Sequence, residues 1–230
     1  MADISYHPGE ILFWRAAPTW KRLIDIVGAS LLLLLSLPLL LVVAVYIKLV
    51  SSGPAIFKQE RIGLGGKSFI LWKFRTMSVG ADTQEHKEHV RSLIQACKDN
   101  GPHHVPMQKL DHAPYIIPLG NLLRKMCIDE LPQLVNVLKG DMSLVGPRPA
   151  LRYEVEEYLP WHMGRLDTLP GMTGLWQVSG KNKLSFRQMI SLDIRYARSR
   201  TFLLDAKILF DTLPAILAQV RDNLERKQQR

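Results

Sequence analysis

A run of apolar residues near the N-terminus constrains the fold of this chain more than any other feature. Between Leu23 and Ile47 the only charged residue is Asp25. About 20 apolar residues are enough to span the hydrocarbon of a bilayer, so the run is long enough for a transmembrane helix. It is too long for the apolar region of a signal peptide, and no small-residue cleavage site follows it. The sequence therefore predicts a helix embedded in a membrane.

Two features of this run argue against a simple crossing. Pro38 stands in its middle, two residues after Ser36, and a proline removes a helical hydrogen bond and kinks or breaks a helix. Basic residues flank both ends, with Lys21 and Arg22 before the run and Lys48 after it. Because basic flanks stay in the cytoplasm, we expect a re-entrant helix, broken near Ser36 and Pro38, that enters and leaves on one face. An ordinary kinked span is the alternative, since membrane helices tolerate proline.

The rest of the chain is polar and basic. The whole chain has 230 residues, with 30 Lys and Arg against 21 Asp and Glu, a net charge of +9. With a membrane helix present, anionic lipid headgroups explain part of this charge, and anionic substrates explain the rest. No aromatic-rich basic stripe or nucleic-acid motif is present, so nucleic acid is not a predicted partner. The two cysteines, Cys97 and Cys127, imply no disulfide framework and favour a reduced, cytosol-facing compartment.

The elements predicted after the apolar run are both helical and extended. Short strands are predicted at 55–57 and 68–74, with a hairpin loop at 61–67 between them. Further predicted elements are helices at 83–98, 121–138, 150–158, 186–198 and 202–220, a rigid loop at 140–149 and a turn–strand–turn segment at 169–180. The helix at 202–220 is apolar with interspersed charges, which is typical of a helix on a membrane surface. No role is predicted for the polar segment at 80–112.

Two groups of charged residues have prolines close to them in the sequence. Asp129 and Glu130 are adjacent carboxylates, which point about 100° apart on a helix and need not share a role. One of them is suited to act as a nucleophile or a metal ligand, whereas a surface acidic pair is the plainer interpretation. Arg148 stands between Pro147 and Pro149. A guanidinium held in this way suits bidentate recognition of a phosphate or carboxylate, and a structural turn is the alternative.

Two further groups supply cations. Lys73 and Arg75 share one face of the predicted strand, where they are suited either to embrace a diphosphate or to face solvent. Lys181 lies in a flexible turn. No Walker-type loop, dinucleotide-binding glycine motif or Ser-His-Asp order is evident. From spacing alone, the residues indicate a membrane-surface protein with many cations and a few acids, suited to a phosphate-rich substrate.

Six motifs together resemble a known family. They are KRLID at 21–25, QERIG at 59–63, KFRTM at 73–77, DELPQ at 129–133, NVLKGDMSLVGPRP at 136–149 and PGMTG at 170–174. On these motifs the chain resembles the bacterial sugar transferases, and more narrowly the monotopic phosphoglycosyl transferases, over nearly its whole length. It is similar to the minimal catalytic form, without the large extra N-terminal membrane region of some members.

The resemblance implies an α+β monotopic membrane protein at the cytoplasmic face of the bacterial inner membrane, with interfacial amphipathic helices. Its expected parts are an N-terminal tail (1–20), the re-entrant membrane helix (21–50), a membrane-surface catalytic domain (51–220) and a C-terminal tail (221–230). The implied reaction transfers a sugar 1-phosphate from a UDP-sugar to undecaprenyl phosphate and releases UMP. Mg²⁺ is the implied cofactor and membrane lipids are implied partners, while a homodimer is left open. The sugar is not specified; galactose or glucose is a guess from overall likeness.

The same resemblance implies roles for single residues. Asp129 would attack the phosphorus that bears the sugar, form an acyl-phosphate and lie near Mg²⁺. Glu130 would be held by Arg148 and assist proton transfer from the acceptor phosphate. The positions that match the family's anionic site and its second functional acid are Lys73, Arg124, Arg148, Lys181 and Asp193.

This chain departs from the family pattern at two places, and two alternatives stay open. Lys181 stands where the family often has arginine, and Leu37 separates Ser36 from Pro38, where the family often has adjacent Ser-Pro. One alternative is direct attack by the lipid phosphate without a covalent intermediate. The other is an inactive scaffold of a polysaccharide assembly complex.

Overall fold

The structure is a computed structural model, and it describes residues 17–78, 88, 90–95 and 115–228. In chain order its main elements are α1 (Thr19–Val50), β1 (Ile56–Ile62), β2 (Ser68–Phe74), α2 (Gly120–Lys125), α3 (Gln133–Lys139), β3 (Ser143–Val145), α4 (Arg152–Val155), β4 (Gly171–Thr173), α5 (Leu175–Val178), α6 (Phe186–Ser199) and α7 (Phe202–Gln228). Turns of 3₁₀ helix lie at Leu64–Gly66, Ile128–Glu130, Pro160–Leu166 and Lys181–Lys183. Residues 90–95 are helical, and the rest of the helix predicted at 83–98 falls outside the described residues, except for residue 88. This mixture agrees with the α+β class.

Helix α1 turns one face toward the folded domain and the other away from it. Its buried positions recur at helical spacing at both ends: Lys21, Asp25, Ala29, Val43 and Ile47. Most leucines and valines on the opposite face are exposed. Among the described residues, α1 is the one helix that is long and apolar enough to cross a membrane, judged by length and composition only.

The helix is not interrupted at Pro38. The predicted break at Ser36 and Pro38 is not observed, because Thr19–Val50 is helical throughout. Proline lacks the N–H that would bond to the carbonyl four residues earlier, yet a long apolar helix tolerates one missing bond when neighbouring groups compensate. The Ser36 Oγ donates to the carbonyl of Leu32 at 2.7 Å, which is one turn before Ser36 and is not the Leu34 carbonyl that Pro38 leaves without its helical donor. The path of α1 through a bilayer must therefore be judged from where its ends lie.

The N-terminal end of α1 is fixed by a buried cluster of polar groups. Lys21 is 1% exposed. Its Nζ donates to the carbonyl of Val145 at 2.9 Å and to the hydroxyl of Tyr196 at 3.0 Å, and it forms an ion pair with Asp205. The Tyr196 hydroxyl donates in turn to Asp205 at 2.6 Å. One ammonium thus joins α1 to β3, α6 and α7.

Two more side chains at this end strengthen the attachment. The carboxylate of Asp25 accepts hydrogen bonds from the Ser143 hydroxyl at 2.9 Å and from the backbone N–H of Leu144 at 2.8 Å. The guanidinium of Arg22 donates to two carbonyls in the last turn of α3, at 2.6 and 2.7 Å. The single acid within the apolar run therefore binds the start of β3.

The C-terminal end of α1 rests on the same domain. Apolar side chains meet there in one buried cluster: Val43, Ile47, Phe74, Ile117 and Leu123. The Tyr46 hydroxyl donates to the carbonyl of Pro118 at 2.8 Å. In a straight helix, Lys21 and Ile47 are about 39 Å apart at 1.5 Å per residue. Both ends of this length are held by one folded domain.

Strands β1 and β2 form an antiparallel hairpin. Arg61 pairs with Phe69 and Ile62 with Ser68, and Ile62 also bridges to Ala150. The prediction of a hairpin loop at 61–67 is therefore wrong at its first two residues. The bridge to Ala150, far along the chain, is a tertiary contact that extends β1.

Strands β3 and β4 pair in parallel, Ser143 with Gly171 and Val145 with Thr173. The prediction of a rigid loop at 140–149 does not include strand β3. This strand is too short to show an alternating pattern in the sequence. The contact between the strands is close, because a Cβ on Gly171 would lie 2.0 Å from the backbone nitrogen of Gly146. The two motifs at 136–149 and 170–174 thus fit together only through glycine.

The helix predicted at 121–138 is two helices in the structure. After α2 ends, Cys127 takes a left-handed conformation (φ 56°), and the 3₁₀ turn Ile128–Glu130 follows. Pro132 is the N-cap of α3, where its missing N–H costs no hydrogen bond. The adjacent carboxylates consequently lie in a tight turn between two helices.

The helices predicted at 186–198 and 202–220 are found along their length, whereas the segment predicted at 150–158 is α-helical only at Arg152–Val155. Helices α4, α6 and α7 overlap the helices predicted at 150–158, 186–198 and 202–220. Helix α7 extends to Gln228, so it includes most of the predicted tail at 221–230. Arginine, glutamate, lysine and glutamine, which are good helix formers, are common in this last part.

Replacement of Gly171 by alanine is expected to destabilise the protein by about 3 kcal/mol, the upper end of the usual cost of overpacking, because only backbone movement relieves its clash with Gly146. Thermal unfolding in detergent measures the change. Gly164→Ala is the matched control, since the nearest atoms that its Cβ would meet are carbons of Ile194 at 3.5 Å or more. Equal melting temperatures for the two variants would contradict the close packing of β3 on β4.

Candidate active site

The carboxylates of Asp129 and Glu130 lie in the 3₁₀ turn between α2 and α3. Asp129 is 7% exposed, and Glu130 is half-buried. The turn contacts β2, the strand that carries Lys73. The structure therefore brings the predicted nucleophile and the first predicted cation together.

Lys73 is surrounded by charges of both signs. Burial lowers the pKa of its ammonium to about 8. That value includes the positive charges of Arg61 and Arg124, which act in the same direction as burial, and the negative charges of Asp129 and Glu130, which oppose it. These groups come from β1, α2 and the 3₁₀ turn, so three elements converge on Lys73. Such a cluster of cations and carboxylates with a shifted pKa is typical of a functional site.

Arg61 is a candidate site residue that the sequence argument did not single out. It is buried, and its guanidinium donates to the carbonyl of Pro149 at 3.0 Å and to the side-chain oxygen of Gln59 at 2.8 Å. Burial and the nearby charge of Arg148 lower the pKa of Arg61 to about 10. The motif at 59–63, which contains Arg61, could have indicated a functional role for this residue. Because Arg61 was predicted to lie in a loop at 61–67, its side chain was not expected to point inward.

Arg148 lies in the loop directly after β3 and is half-buried. Its charge acts on Arg61 and on Tyr153. Burial raises the pKa of the Tyr153 hydroxyl to about 12, with Glu154 acting in the same direction and the arginines opposing it. The predicted phosphate-binding arginine is thus part of the same charged cluster as Arg61.

Arg124 and Lys181 occupy different surroundings. Arg124 lies in the last turn of α2, and its charge acts on Lys73. Lys181 begins the 3₁₀ turn that contacts α5 and has a φ of 40°. The structure therefore brings Arg124 to the cluster around Lys73, while contact of Lys181 with a ligand stays a prediction.

Arg75 does not share a strand face with Lys73, and that prediction is wrong. Strand β2 ends at Phe74. Arg75 is buried, and both terminal nitrogens of its guanidinium donate to the carbonyls of Ser51 and Ser52, just after α1. Its charge stabilises the end of the apolar helix, so it is not available to embrace a diphosphate.

Asp193 lies beneath the charged cluster and not at its surface. It is 1% exposed and forms an ion pair with Arg165 at 2.6 Å. Burial raises the pKa of Asp193 to about 6, and the charges of Arg165 and Arg148 oppose this shift. The structure thus connects Asp193 to Arg148 through Arg165 and leaves it no access to a ligand.

The predicted metal ligand is Asp129. Within the described ranges, no group of three or more His, Cys, Asp or Glu side chains is arranged to hold one. Mg²⁺ is usually bound by one or two protein carboxylates together with water and substrate phosphates. The nearby lysine and arginine charges oppose a divalent cation at this carboxylate, so binding of Mg²⁺ together with a phosphate-bearing substrate stays a prediction.

Comparison with known proteins identifies the class of protein that this fold and site define. The family model described as bacterial sugar transferase matches residues 16–219, which is most of the chain. The protein belongs to the bacterial sugar transferase family and is a phosphoglycosyl transferase.

Three relatives show the extent of the similarity. Exopolysaccharide production protein ExoY of Rhizobium meliloti (strain 1021) is 37% identical over 196 residues, which cover 85% of this chain and 84% of ExoY. UDP-glucose:undecaprenyl-phosphate glucose-1-phosphate transferase of Caulobacter vibrioides is 39% identical over 222 residues, 93% of this chain and 76% of the relative. Undecaprenyl-phosphate galactose phosphotransferase of Salmonella typhimurium is 38% identical over 204 residues, 88% of this chain but 41% of the relative.

The Lys73 amine is expected to lose its proton near pH 8, and the folded protein should gain stability as the pH rises from about 8 toward 10.5, the ordinary pKa of lysine. Acetylation by acetic anhydride, followed by mass spectrometry of the Lys73 peptide, measures the midpoint. Asp129→Asn should move this midpoint to lower pH, because it removes a negative charge that favours the ammonium. Asp141→Asn is the control and should leave it unchanged. A wild-type midpoint near 10.5 would contradict the description of the site.

Proposed function

We propose that this protein transfers a sugar 1-phosphate from a UDP-sugar to undecaprenyl phosphate, giving an undecaprenyl-diphosphate sugar and UMP. The observation that carries the proposal is the buried carboxylate of Asp129 beside the cationic Lys73. The name of the Caulobacter relative states this reaction for UDP-glucose, and the Salmonella relative is named for a galactose phosphotransfer that uses undecaprenyl phosphate. ExoY is named for exopolysaccharide production. We therefore place the reaction at the start of exopolysaccharide, capsule or O-antigen assembly.

In the proposed first step, Asp129 acts as the nucleophile. A carboxylate oxygen attacks the phosphorus that bears the sugar, an O–P bond forms, and the bond from that phosphorus to the bridging oxygen breaks. UMP leaves with the electron pair of the broken bond, and the sugar phosphate remains on Asp129. Arg61, Lys73 and Arg124 stabilise the negative charge of the diphosphate during this step. Their positive charges act around one position, which supports the proposal.

In the proposed second step, an oxygen of undecaprenyl phosphate attacks the same phosphorus and releases the carboxylate of Asp129. Glu130, held by Arg148, accepts the proton of the acceptor phosphate when the acceptor carries one. Bound Mg²⁺, held by Asp129 and substrate phosphates, would supply charge neutralisation at the diphosphate.

The proposed membrane arrangement is monotopic, with α1 re-entrant through a bend at Pro38 and not through a break in the helix. If α1 crossed the membrane upright, the contacts of Lys21 and Ile47 would lie on opposite sides of about 30 Å of hydrocarbon. The domain that holds both residues would then have to pass through the lipid. Attachment of both ends to one domain favours entry and exit on one face, and the basic flanks favour the cytoplasmic face of the bacterial inner membrane.

The surface next to the catalytic turn supports a site at the membrane interface. Leu122 and Met126, on and just after α2, are 50% and 49% exposed. Helix α7 also exposes large apolar side chains: Phe202, Leu203, Phe210, Leu213 and Leu217. Apolar surface of this kind is typical of helices that lie on a membrane. In this arrangement a lipid phosphate reaches Asp129 at headgroup height, while the UDP-sugar arrives from water.

Asp129 and Glu130 are proposed to act at different steps, so substitution of each carboxylate is expected to cause a different defect. With a UDP-sugar and no lipid acceptor, the wild-type protein should release up to about one equivalent of UMP and gain the mass of a sugar phosphate. Asp129→Asn should do neither, because an amide is a poor nucleophile. Glu130→Gln should gain the adduct more slowly and fail mainly in turnover. Asp211→Asn, in a surface ion pair of α7, is the control and should behave as wild type.

Intact-mass spectrometry and UMP release, measured with UDP-glucose and UDP-galactose, give three informative outcomes. An adduct on Asp129→Asn would contradict the assignment of the nucleophile. Turnover with undecaprenyl phosphate by a wild-type protein that never gains an adduct would indicate direct attack by the lipid phosphate. Absence of UMP release with either sugar, with and without undecaprenyl phosphate, would favour the inactive scaffold.

A further inference from the structure

The loop that carries Arg148 is held through its carbonyl groups. Pro147 and Pro149 have no N–H, so the backbone on both sides of Arg148 lacks donors. Four successive carbonyls accept hydrogen bonds instead: Pro147 from the Gly171 N–H at 2.8 Å, Arg148 from Arg165 at 3.0 Å, Pro149 from Arg61 at 3.0 Å and Ala150 from the Ile62 N–H at 2.9 Å. Two of the four donors are therefore buried arginine side chains.

Arg165 is the donor that reaches Arg148 itself. Its Nη2 donates to the Arg148 carbonyl and, at 2.6 Å, to the carboxylate of Asp193. Its Nη1 donates to the hydroxyl of Tyr158 at 2.6 Å. Burial opposes the positive charge, yet Tyr158 and Asp193 hold the pKa of Arg165 above its ordinary value. Arg165 is thus a fixed cation with three defined acceptors.

Burial separates Arg165 from any ligand. The side chain is 2% exposed, and its acceptors lie on α6, on the segment before the 3₁₀ turn Pro160–Leu166 and on the loop at 146–149. An effect of Arg165 on a substrate therefore has to pass through a residue that it holds. Arg148 is that residue, because its carbonyl takes one of the three hydrogen bonds.

We propose that Arg165, oriented by Asp193 and Tyr158, is a positioning residue for Arg148. The inference rests on the proposed function, in which Arg148 holds Glu130. Bidentate contact by a guanidinium requires a defined direction, and a displacement of about 1 Å is enough to reduce a rate strongly. The role of Asp193 is then to support Arg165, without contact with a ligand.

A double-mutant cycle tests the proposal through the kcat of UMP release with a UDP-sugar and undecaprenyl phosphate. Arg165→Lys keeps the charge but replaces two separate terminal nitrogens in a planar fork by one ammonium, so the three hydrogen bonds cannot keep their directions and kcat should fall at least about tenfold, as for Arg148→Lys. The double variant Arg148→Lys/Arg165→Lys should lie within about twofold of Arg148→Lys alone, because Arg165 acts through Arg148. A further loss of about tenfold in the double variant would overturn the proposal.

Tyr158→Phe repeats the cycle with a milder change, in case Arg165→Lys does not fold. It removes one acceptor of Arg165 and keeps the ring that packs against His162 and Phe186. We expect kcat to fall about threefold in the wild-type background and to stay unchanged in the Arg148→Lys background. An equal loss in both backgrounds, or no loss in either, would overturn the proposal. Thermal unfolding confirms that each variant is folded.

Arg22→Lys is the matched control. Arg22 also donates both terminal nitrogens to backbone carbonyls, but these lie at the end of α3 and not in the loop at 146–149. Its kcat should stay within about twofold of wild type, since the hydrogen bonds to the Arg148 loop are untouched. A loss as large as that of Arg165→Lys would show that any arginine bound to backbone carbonyls has the same effect, and would overturn the specific role.

Binding of UDP, measured by calorimetry, separates this proposal from the proposed function. If wild type binds UDP but transfers no sugar phosphate to undecaprenyl phosphate, the proposed function fails. The positioning role is still supported if Arg148→Lys and Arg165→Lys weaken UDP binding equally and the double variant weakens it no further. It is overturned if Arg148→Lys weakens UDP binding and Arg165→Lys leaves it unchanged.

Discussion

The buried ammonium of Lys21 is the interaction on which the rest of this structure depends. Removing a charge from water costs several kcal/mol unless its partners are complete, and here they are Asp205, Tyr196 and the carbonyl of Val145. These partners belong to α7, α6 and β3, whereas Lys21 belongs to the apolar helix. One side chain therefore attaches the membrane helix to the strand that leads into the loop of Arg148.

The charged site follows from this attachment and from the other end of α1. Strand β3 continues into Gly146, which packs against β4 with no room for a Cβ. At its far end α1 packs on Phe74 of β2, the strand that carries Lys73, and β2 contacts the turn of Asp129. The elements that hold the membrane helix are thus the same elements that present the cations. The proposed interfacial reaction needs such a connection, since its two substrates come from lipid and from water.

Local patterns in the sequence predicted the apolar helix, strand β2 and helices α6 and α7. They also singled out Asp129, Lys73 and Arg148, whose charges the structure brings into one cluster. The sequence could not predict which arginines are buried, because that depends on distant partners. Arg61 meets Pro149 across 88 positions in the chain, and Arg75 meets Ser51, a partner on the far side of the hairpin. Strand β3 was missed because its three residues are too few for a pattern.

The proposed arrangement requires both ends of α1 to lie on the cytoplasmic side of the membrane. Single cysteines at Thr19 and Ser52, both exposed, can be compared after Cys97 and Cys127 are replaced by serine. A membrane-impermeant maleimide is applied to spheroplasts and to inverted membrane vesicles. The account predicts that both cysteines react in inverted vesicles and neither reacts in spheroplasts. Reaction of one cysteine from each side would show that α1 crosses the membrane and would contradict the account.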